Sequence, residues 1–452
     1  MKLSFTLVYG EFAMATNEEY DIAIIGAGVL GASIAYELSL IFNGKIAILE
    51  KENYAGLHSS TRNTGVIHRP FYLDSVKKNI FAKSSQISYE MWKSLSLKFD
   101  FPWVEKGTLE IATREEDTKT IDQYYKWAML NGMSEREIKV LNEEELQKYE
   151  PLVRGYGGIL SITDTCVNFG MFTEKLIELA KSNNVSFLNN VRVTDLKEFP
   201  EGVVINYTGN TGKKTIKAKF LINVSGGDAL TLAHKMHIAK KYAVLHFRGD
   251  YWVVGEKFPN KIRNNIYTVP KYKKFPFLDP HFILRYDGRR ELGPNAALVS
   301  TPYEYTDHPH SSSLLLKLME RPIIPKIKLL TNPEFISLVR NEWKSSRSMD
   351  EMAGRVKMFI PSLETSYITG RGMSGVRNSL VDSNGFVSEA VLEQTDHTIH
   401  ILNYNSPGAT GAPAFSLHLL NILQKSGKLS FKKDLMNENS LWSKEINMLE
   451  SV

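Results

Sequence analysis

Cysteine is almost absent: the 452 residues hold one, Cys166. A single thiol excludes an intramolecular disulfide, argues against a cysteine-based zinc site and suits a reducing cytoplasm. No stretch approaches about 18 uninterrupted apolar residues, so no membrane-spanning helix is expected. Charge of one sign is also scarce. Lysine and arginine are interspersed with aspartate and glutamate to a net charge of only +5, which gives nucleic-acid binding little support. There is no repeat, no low-complexity tract and no His/Asp/Glu spacing that argues for a metal. Hydrophobic residues at 43% and charged residues at 23% are ordinary for a globular protein. The length suits two domains, or one nucleotide-binding domain with a large insert.

The beginning of the chain imitates a signal peptide through an apolar Leu3–Tyr9 run and Ala13-Met14-Ala15. The run is short, it has one lysine before it, and Glu11 lies in the approach to the would-be cleavage site, so Met14 as the true start or a plain extension is the expected reading. Residues 1–14 and 431–452 are read as terminal extensions, and nothing after about Lys428 has an assignable role.

Glycine is concentrated where it has a use. Tyr20-Asp21-Ile22-Ala23-Ile24-Ile25 runs into Gly26-Ala27-Gly28-Val29-Leu30-Gly31, and Lys45-Ile46-Ala47-Ile48-Leu49 ends at Glu50. This is a complete βαβ dinucleotide fingerprint. Gly26 permits the tight turn, Gly28 lets backbone approach a pyrophosphate, and Gly31 lets the helix pack on the sheet. The pyrophosphate is expected on the N-terminus of the helix that begins near Val29, and Glu50 is placed to accept from the adenosine ribose hydroxyls.

Helical periodicity covers Ser75–Phe99, Arg114–Leu130, Asn142–Tyr149 and Met171–Ala180, with strands at Gly107–Ala112, Val185–Asn189, Arg192–Phe199 and Gly202–Tyr207 and a hairpin turn at Gly209–Gly212. Lys219–Val224 is an apolar strand that ends near paired glycines. From Tyr242 to Ser300 the composition shifts to aromatics, β-branched residues and turns, as for an antiparallel sheet with one face over a ligand. Ser311–Glu320 and Asn332–Lys344 look helical, and nucleotide-domain character returns through Tyr367–Gly375, Thr398–Asn403 and a helix at Ala414–Gln424. Pro322–Leu330, between those helices, mixes lysines with apolar residues. It supports two readings, a solvated loop or weak peripheral contact with anionic membranes.

Nucleotide-type strands thus recur near Ile24, Ile222 and Ile401, which one contiguous Rossmann domain does not require and an interleaved flavin domain does. The chain resembles the D-amino-acid-oxidase-like superfamily of FAD enzymes over nearly its whole length. The resemblance rests on Gly26–Glu50, on Ser59-Ser60-Thr61-Arg62-Asn63-Thr64-Gly65-Val66-Ile67-His68 and on Ser406-Pro407-Gly408-Ala409-Thr410-Gly411-Ala412-Pro413. Within the superfamily it is most similar to the L-2-hydroxyglutarate dehydrogenases, through Phe247–Tyr251, Asn265–Pro270, Phe275–Leu278, Pro280–Phe282 and Leu292–Ala296. Arg69-Pro70 departs from the small residues usual there and puts the substrate's shape in question.

The resemblance implies an α/β FAD-binding Rossmann-type domain (15–90, 151–240 and 345–430) interleaved with an α+β substrate domain built on an antiparallel sheet (91–150 and 241–344). It implies FAD-dependent oxidation of a short 2-hydroxy dicarboxylate, L-2-hydroxyglutarate to 2-oxoglutarate. An amino-acid or secondary-amine oxidase, a malate or glycerol 3-phosphate dehydrogenase, and a non-catalytic flavin electron-transfer or binding subunit are the alternatives. His68 is the first candidate for the base, since its motif should pass beside the flavin; His281 is the second. Arg377 matches the position where related amino-acid oxidases hold the substrate carboxylate, with Arg285 and Arg248 behind it. Ser59, Ser60 and Arg62 are expected at the FAD phosphates and neighbouring backbone, and Ser225 and Gly226 on the adenine side. Gly408, Ala409, Thr410 and Gly411 are expected at the flavin's pyrimidine edge. Some relatives attach flavin through a histidine where Arg62 stands, so noncovalent FAD is expected. Oxygen and quinone both stand as electron acceptors, and the protein is read as cytoplasmic or peripheral to the inner face of the cell membrane.

Overall fold

The computed structural model describes residues 18–272, 275, 279–306, 311–431 and 440–442. The Leu3–Tyr9 run, Met14, Pro276–Leu278 and most of the C-terminal extension lie outside the described residues.

The three nucleotide-type strands share one sheet. Ser186–Leu188, Ile46–Leu49, Glu19–Ile25, the end of Gly212–Asn223, and Thr398–Asn403 run parallel in that order. Ile24 lies opposite both Ile48 and Ile222, and Ile222 opposite Ile399. The central strands are covered on both faces, which is why residues 22–25, Ile46–Leu49 and residues 220–222 read as apolar runs. One face carries helices Val29–Ile41, Asn79–Phe99, Phe169–Ser182 and Gly408–Lys425. The other is covered by the antiparallel Arg192–Phe199 and Gly202–Gly209, whose Leu196, Val203 and Ile205 pack on Ala23, Ala47 and Leu49. The hairpin closes between Gly209 and Gly212 as expected.

The second domain is an eight-stranded sheet in the order Ile368–Arg371, Trp252–Val254, Arg290–Gly293, His281–Leu284, Asn265–Thr268, Thr108–Ile111, Gly157–Ser161, Ile138–Asn142. Only the pair Asn265–Thr268 and Thr108–Ile111 is parallel. A four-stranded sheet, Ala297–Val299, Ala243–Gly249, Gly375–Asp382 and Gly385–Phe386, stands beside it. The helix at Glu143–Tyr149 begins with a reciprocal cap that its Asn-x-x-Glu spelling encodes: Asn142 accepts from the Glu145 N–H at 2.9 Å, and Glu145 accepts from the Asn142 N–H at 3.0 Å.

The expected domain boundaries shift in four places. Gly157–Ser161 belongs to the large second-domain sheet, as does Ile368–Arg371, and Gly375–Asp382 belongs to the four-stranded sheet; all three had been read into the cofactor domain. Residues 91–99, read into the substrate domain, complete the helix Asn79–Phe99, which packs on Gly408–Lys425. Short apolar strands carry no local mark of which sheet they will join. Pro322–Leu330 is not a loop but holds the helix Ile324–Leu330. No helix among the described residues is long and apolar enough to cross a membrane.

The C-terminal residues without an assigned role seal the back of the cofactor domain. Trp442 is fully buried and donates to the Met91 carbonyl at 3.0 Å, the Leu441 N–H donates to the Tyr36 hydroxyl at 2.9 Å, and the Ser440 hydroxyl donates to Glu37 at 3.1 Å. Glu37 is wholly buried in the first helix, and that burial pushes its carboxyl up to about 8. An acid that binds its proton more tightly folded than unfolded loses stabilisation as pH rises from its unfolded value toward its folded one. Glu37→Gln, which has no charge to suppress, should therefore raise the thermal midpoint by a few degrees at pH 8 and hardly at pH 4.5. Equal shifts at the two pH values would show that Glu37 is not held protonated.

Candidate active site and dinucleotide cleft

The glycine turn is built as its spelling requires. Gly26 has φ +102°, and a Cβ there would lie 2.7 Å from the Val224 carbonyl oxygen; one on Gly31 would lie 2.0 Å from the Gly26 carbonyl oxygen. Gly28 caps the helix Val29–Ile41, and the first N–H of that helix, on Val29, donates to the Ser60 hydroxyl at 2.9 Å. Glu50 is oriented by the N–H groups of Ala27 (2.8 Å) and Glu52 (3.0 Å) and lines the cleft with Ser225 and Gly226. Lys51 crosses the rim, 3.2 Å from Asp228 and over the ring of Tyr303.

This cleft continues into a second chamber, and Ser59, Asn378, Tyr404, Asn405, Gly408 and Ala409 border both. An elongated cleft with an acid at one end, glycines that exclude any Cβ in the middle and a polar chamber at the other end fits FAD. Arg62, expected at the phosphates, lies instead on the chamber side, where it donates to the Leu57 and Ser374 carbonyls and stacks over Tyr305 at 4.1 Å. Ser59 donates to the Val376 carbonyl at 3.3 Å. Gly408 opens the helix Gly408–Lys425, whose first turn lines the chamber and directs its N–H groups and dipole there. A Cβ on Gly411 would meet the Tyr404 hydroxyl at 2.5 Å.

His68, His281 and Arg377 line the same chamber. His68 follows the short strand Val66–Ile67, and its backbone N–H donates to Thr410 Oγ1 at 3.2 Å, which ties it to the last helix. Its Nδ1 lies 2.8 Å from Asp164, whose carboxylate also accepts from the Arg69 N–H (3.0 Å) and the Ser161 hydroxyl (2.5 Å). A carboxylate only accepts, so Nδ1 carries the proton and Nε2 presents its lone pair. The Tyr267 hydroxyl stands 3.3 Å from that Nε2. Asp164 escaped the sequence reading because it lies 96 residues from His68 and no spacing links them; Tyr267 lies within the run Asn265–Pro270 but drew no role.

His281 comes from strand alternation. Phe282 and Leu284 enter the core, while Ile283 clusters with Tyr251 and Tyr267 on the chamber side that His281 lines. Its ring stacks on Tyr267 at 3.8 Å, and neither ring nitrogen has a hydrogen-bond partner among the described residues. Burial, with His68 and Arg377 nearby, drives its pKa well below the usual histidine value, so the ring is neutral. Arg377 sits opposite Phe247 in the four-stranded sheet; burial lowers its pKa, opposed by Tyr251 and Tyr72. The Tyr251 hydroxyl is pushed up to about 12 by burial.

Two expected carboxylate ligands are engaged elsewhere. Arg285 pairs with buried Glu291 at 2.5 Å and donates to the Asn63 carbonyl, and Arg248 pairs with buried Asp250 at 2.8 Å; neither lines the chamber. A buried guanidinium needs a counter-charge, and each finds one within its own sheet. Arg69, the departure that put substrate shape in question, turns away to Glu137 at 2.6 Å and stacks on Tyr89. Cys166 is a buried packing residue that contacts the Leu284 carbonyl. Among the described residues no His, Cys, Asp and Glu cluster could hold a metal.

The comparisons with known proteins agree with this geometry. The mitochondrial L-2-hydroxyglutarate dehydrogenase of Dictyostelium discoideum is 27% identical over 438 residues, covering 90% of this chain and 93% of that one. L-2-hydroxyglutarate dehydrogenase of Escherichia coli K12 is 28% identical over 409 residues, with 90% and 93% covered. Among solved structures, the dithionite-reduced, FAD-bound L-alpha-glycerophosphate oxidase of Mycoplasma pneumoniae superimposes with a TM-score of 0.70 at 22% identity, over 92% of this chain and 97% of that one. The family model for FAD dependent oxidoreductases matches residues 21–421, from the glycine turn through the last helix, so the chain belongs to that family and FAD is its cofactor.

Proposed function

We propose that the protein oxidises a short 2-hydroxy dicarboxylate at its carbinol carbon, L-2-hydroxyglutarate to 2-oxoglutarate. The observation that carries this reading is one chamber in which an imidazole oriented by a carboxylate, His68 with Asp164, shares the walls with a half-buried arginine, Arg377. The substrate named for the relatives supports the choice of acid. Bound FAD supplies the hydride acceptor at flavin N5.

His68 takes the hydroxyl proton at Nε2. Asp164 keeps the other ring proton on Nδ1 and stabilises the imidazolium that forms. The Tyr267 hydroxyl holds the place beside Nε2 that the substrate hydroxyl takes. Arg377 binds the carboxylate next to the carbinol through its planar fork, and desolvation strengthens that contact. Neutral His281 offers an N–H and a lone pair to the remaining polar groups of the substrate. The first turn of Gly408–Lys425 favours negative charge beside it. A passive electron-transfer subunit requires neither an oriented base nor a carboxylate clamp. Quinone or oxygen takes the electrons, FAD is held noncovalently, and the single thiol suits a cytoplasmic location.

In anaerobic mixing, L-2-hydroxyglutarate should bleach the flavin faster than malate, glycerol 3-phosphate or glycine; bleaching by amines alone would overturn the reading. The roles should also separate kinetically. Asp164→Asn places an amide donor against Nδ1, shifts the ring proton to Nε2 and should slow flavin reduction by on the order of 10²-fold or more, as should His68→Asn, with little change in dicarboxylate binding. Arg377→Lys should instead weaken substrate and unreactive dicarboxylates in parallel. If Asp164→Asn reduces at the wild-type rate, His68 is not the base and His281 becomes the residue to test. Acid denaturation should release FAD into solution, and Glu50→Ala should lose FAD more readily on dialysis; retention unchanged from wild type removes Glu50 from the ribose site.

A further inference from the structure

The paired glycines that follow the strand Gly212–Asn223 are only half explained by the cofactor. Gly226 has φ +58° and open space where a Cβ would stand, but a Cβ on Gly227 would lie 2.3 Å from the Cβ of Pro302. The second glycine thus marks the place where a segment of the second domain comes into contact. That segment, residues 300–306, leaves the strand Ala297–Val299 and reaches the mouth of the dinucleotide cleft, where Pro302 and Tyr303 join its wall. Its curvature is set locally: the Ser300 N–H and hydroxyl donate to Glu304 at 3.0 and 2.7 Å, and the Tyr305 N–H donates to the Tyr303 carbonyl at 3.1 Å.

The segment is fastened to the cofactor domain at two points. At the first, the Tyr303 hydroxyl donates to Asp228, which also pairs with Lys51, and the Lys51 ammonium stands 3.2 Å from the centre of the Tyr303 ring. At the second, the Tyr305 hydroxyl meets His58 Nδ1 at 2.7 Å, and Arg62 stacks over the Tyr305 ring. His58 Nε2 lies 2.9 Å from Glu52. A carboxylate only accepts, and burial with Lys51 nearby lowers the His58 pKa, so the ring is neutral with its proton on Nε2, and Nδ1 accepts from Tyr305. The Glu52 N–H in turn donates to Glu50 at 3.0 Å, so this second fastening and the acid expected at the ribose share one turn.

We propose that residues 302–305 are a strap over the FAD cleft, latched by Tyr303 on Asp228 and by Tyr305 on His58, which must open for the cofactor to enter or leave. Each latch joins protein groups to one another, so opening costs the same in both directions, and uptake and release are slowed by a common factor. A wall residue that only touches FAD would slow release alone. The strap gives a noncovalently held flavin slow exchange. Because it is part of the second domain, it also makes cofactor retention depend on how that domain is seated on the first. The inference rests on FAD as the cofactor and not on the choice of substrate.

The test is FAD exchange by the full-length protein, with release read as the fluorescence of free flavin after dilution and uptake as its loss when FAD is mixed with the full chain stripped of cofactor. Tyr303→Phe/Tyr305→Phe keeps both rings and loses both hydroxyl latches. Release and uptake should each quicken by about tenfold or more, with the equilibrium affinity changed much less than either rate. Gly227→Ala, whose methyl displaces Pro302, should act in the same direction. Tyr303→Phe combined with Asp228→Asn should be no faster than the quicker of the two alone, because both break one latch; additive effects would refute that latch. Unchanged rates in the double phenylalanine variant overturn the proposal. So does faster release with unchanged uptake, which would make the tyrosines simple wall contacts of the cofactor. Neither readout involves substrate, so the outcome is separate from that of the proposed oxidation.

Discussion

The strand Gly212–Asn223 is the constraint on which the molecule depends. Its last residues pair with Ala23–Ile25 on one side and with Thr398–His400 on the other, so segments 375 residues apart are held in one register. That pairing places the glycine turn and the last helix at the same edge of the sheet, where ligands of open α/β sheets bind. The connection continues through side chains. Thr410 accepts from the His68 N–H, and its carbonyl accepts from Trp92, so the helix N-terminus, His68 and the long helix Asn79–Phe99 are tied together. A slip of one residue in the Thr398–Asn403 strand would reverse every side chain in it and rotate Gly408 away from the chamber.

Among the described residues no carboxylate lines the chamber, and its permanent charges are those of Arg62 and Arg377. His281 is neutral, the Tyr251 and Tyr267 hydroxyls are held protonated by burial, and Arg377 is desolvated. Each polar group there interacts more strongly than it would in water, because no solvent competes for it. Among the described residues the His281 nitrogens have no hydrogen-bond partner, and they border the chamber. In the same setting the His68 ring is oriented by Asp164, whose carboxylate is itself fixed by the Ser161 hydroxyl and the Arg69 N–H.

What could be read from the sequence was what local sterics dictate. Gly26 and Gly31 are demanded by contacts within a single turn and the strand beside it, so their spelling announces their geometry. The recurrence of strands at Ile24, Ile222 and Ile401 was legible because each places buried isoleucines at the centre of the sheet. Membership of a particular sheet was not legible. The partners of Gly157–Ser161 and Gly375–Asp382 are fixed by chain topology rather than by composition. Asp164 was hidden for a related reason: its importance lies in a hydrogen bond across 96 residues, and a lone carboxylate after a strand has no distinguishing pattern.

The arginines show how far residue type alone misleads. Arg248, Arg285 and Arg377 all lie on or next to strands of the second domain, and by composition they are equivalent candidates for a carboxylate. Burial separates them. Arg285 and Arg248 are cancelled by Glu291 and Asp250, and removing either carboxylate would strand a charge inside the protein. These pairs serve the scaffold, since Arg285 reaches back to the Asn63 carbonyl and Arg248 to Ser346, which join distant segments. With those charges balanced internally, the arginines that line the chamber are Arg62 and Arg377. Arg62 is in turn held by the Leu57 and Ser374 carbonyls and stacks over Tyr305, so carbonyls and rings as well as carboxylates decide where each guanidinium points.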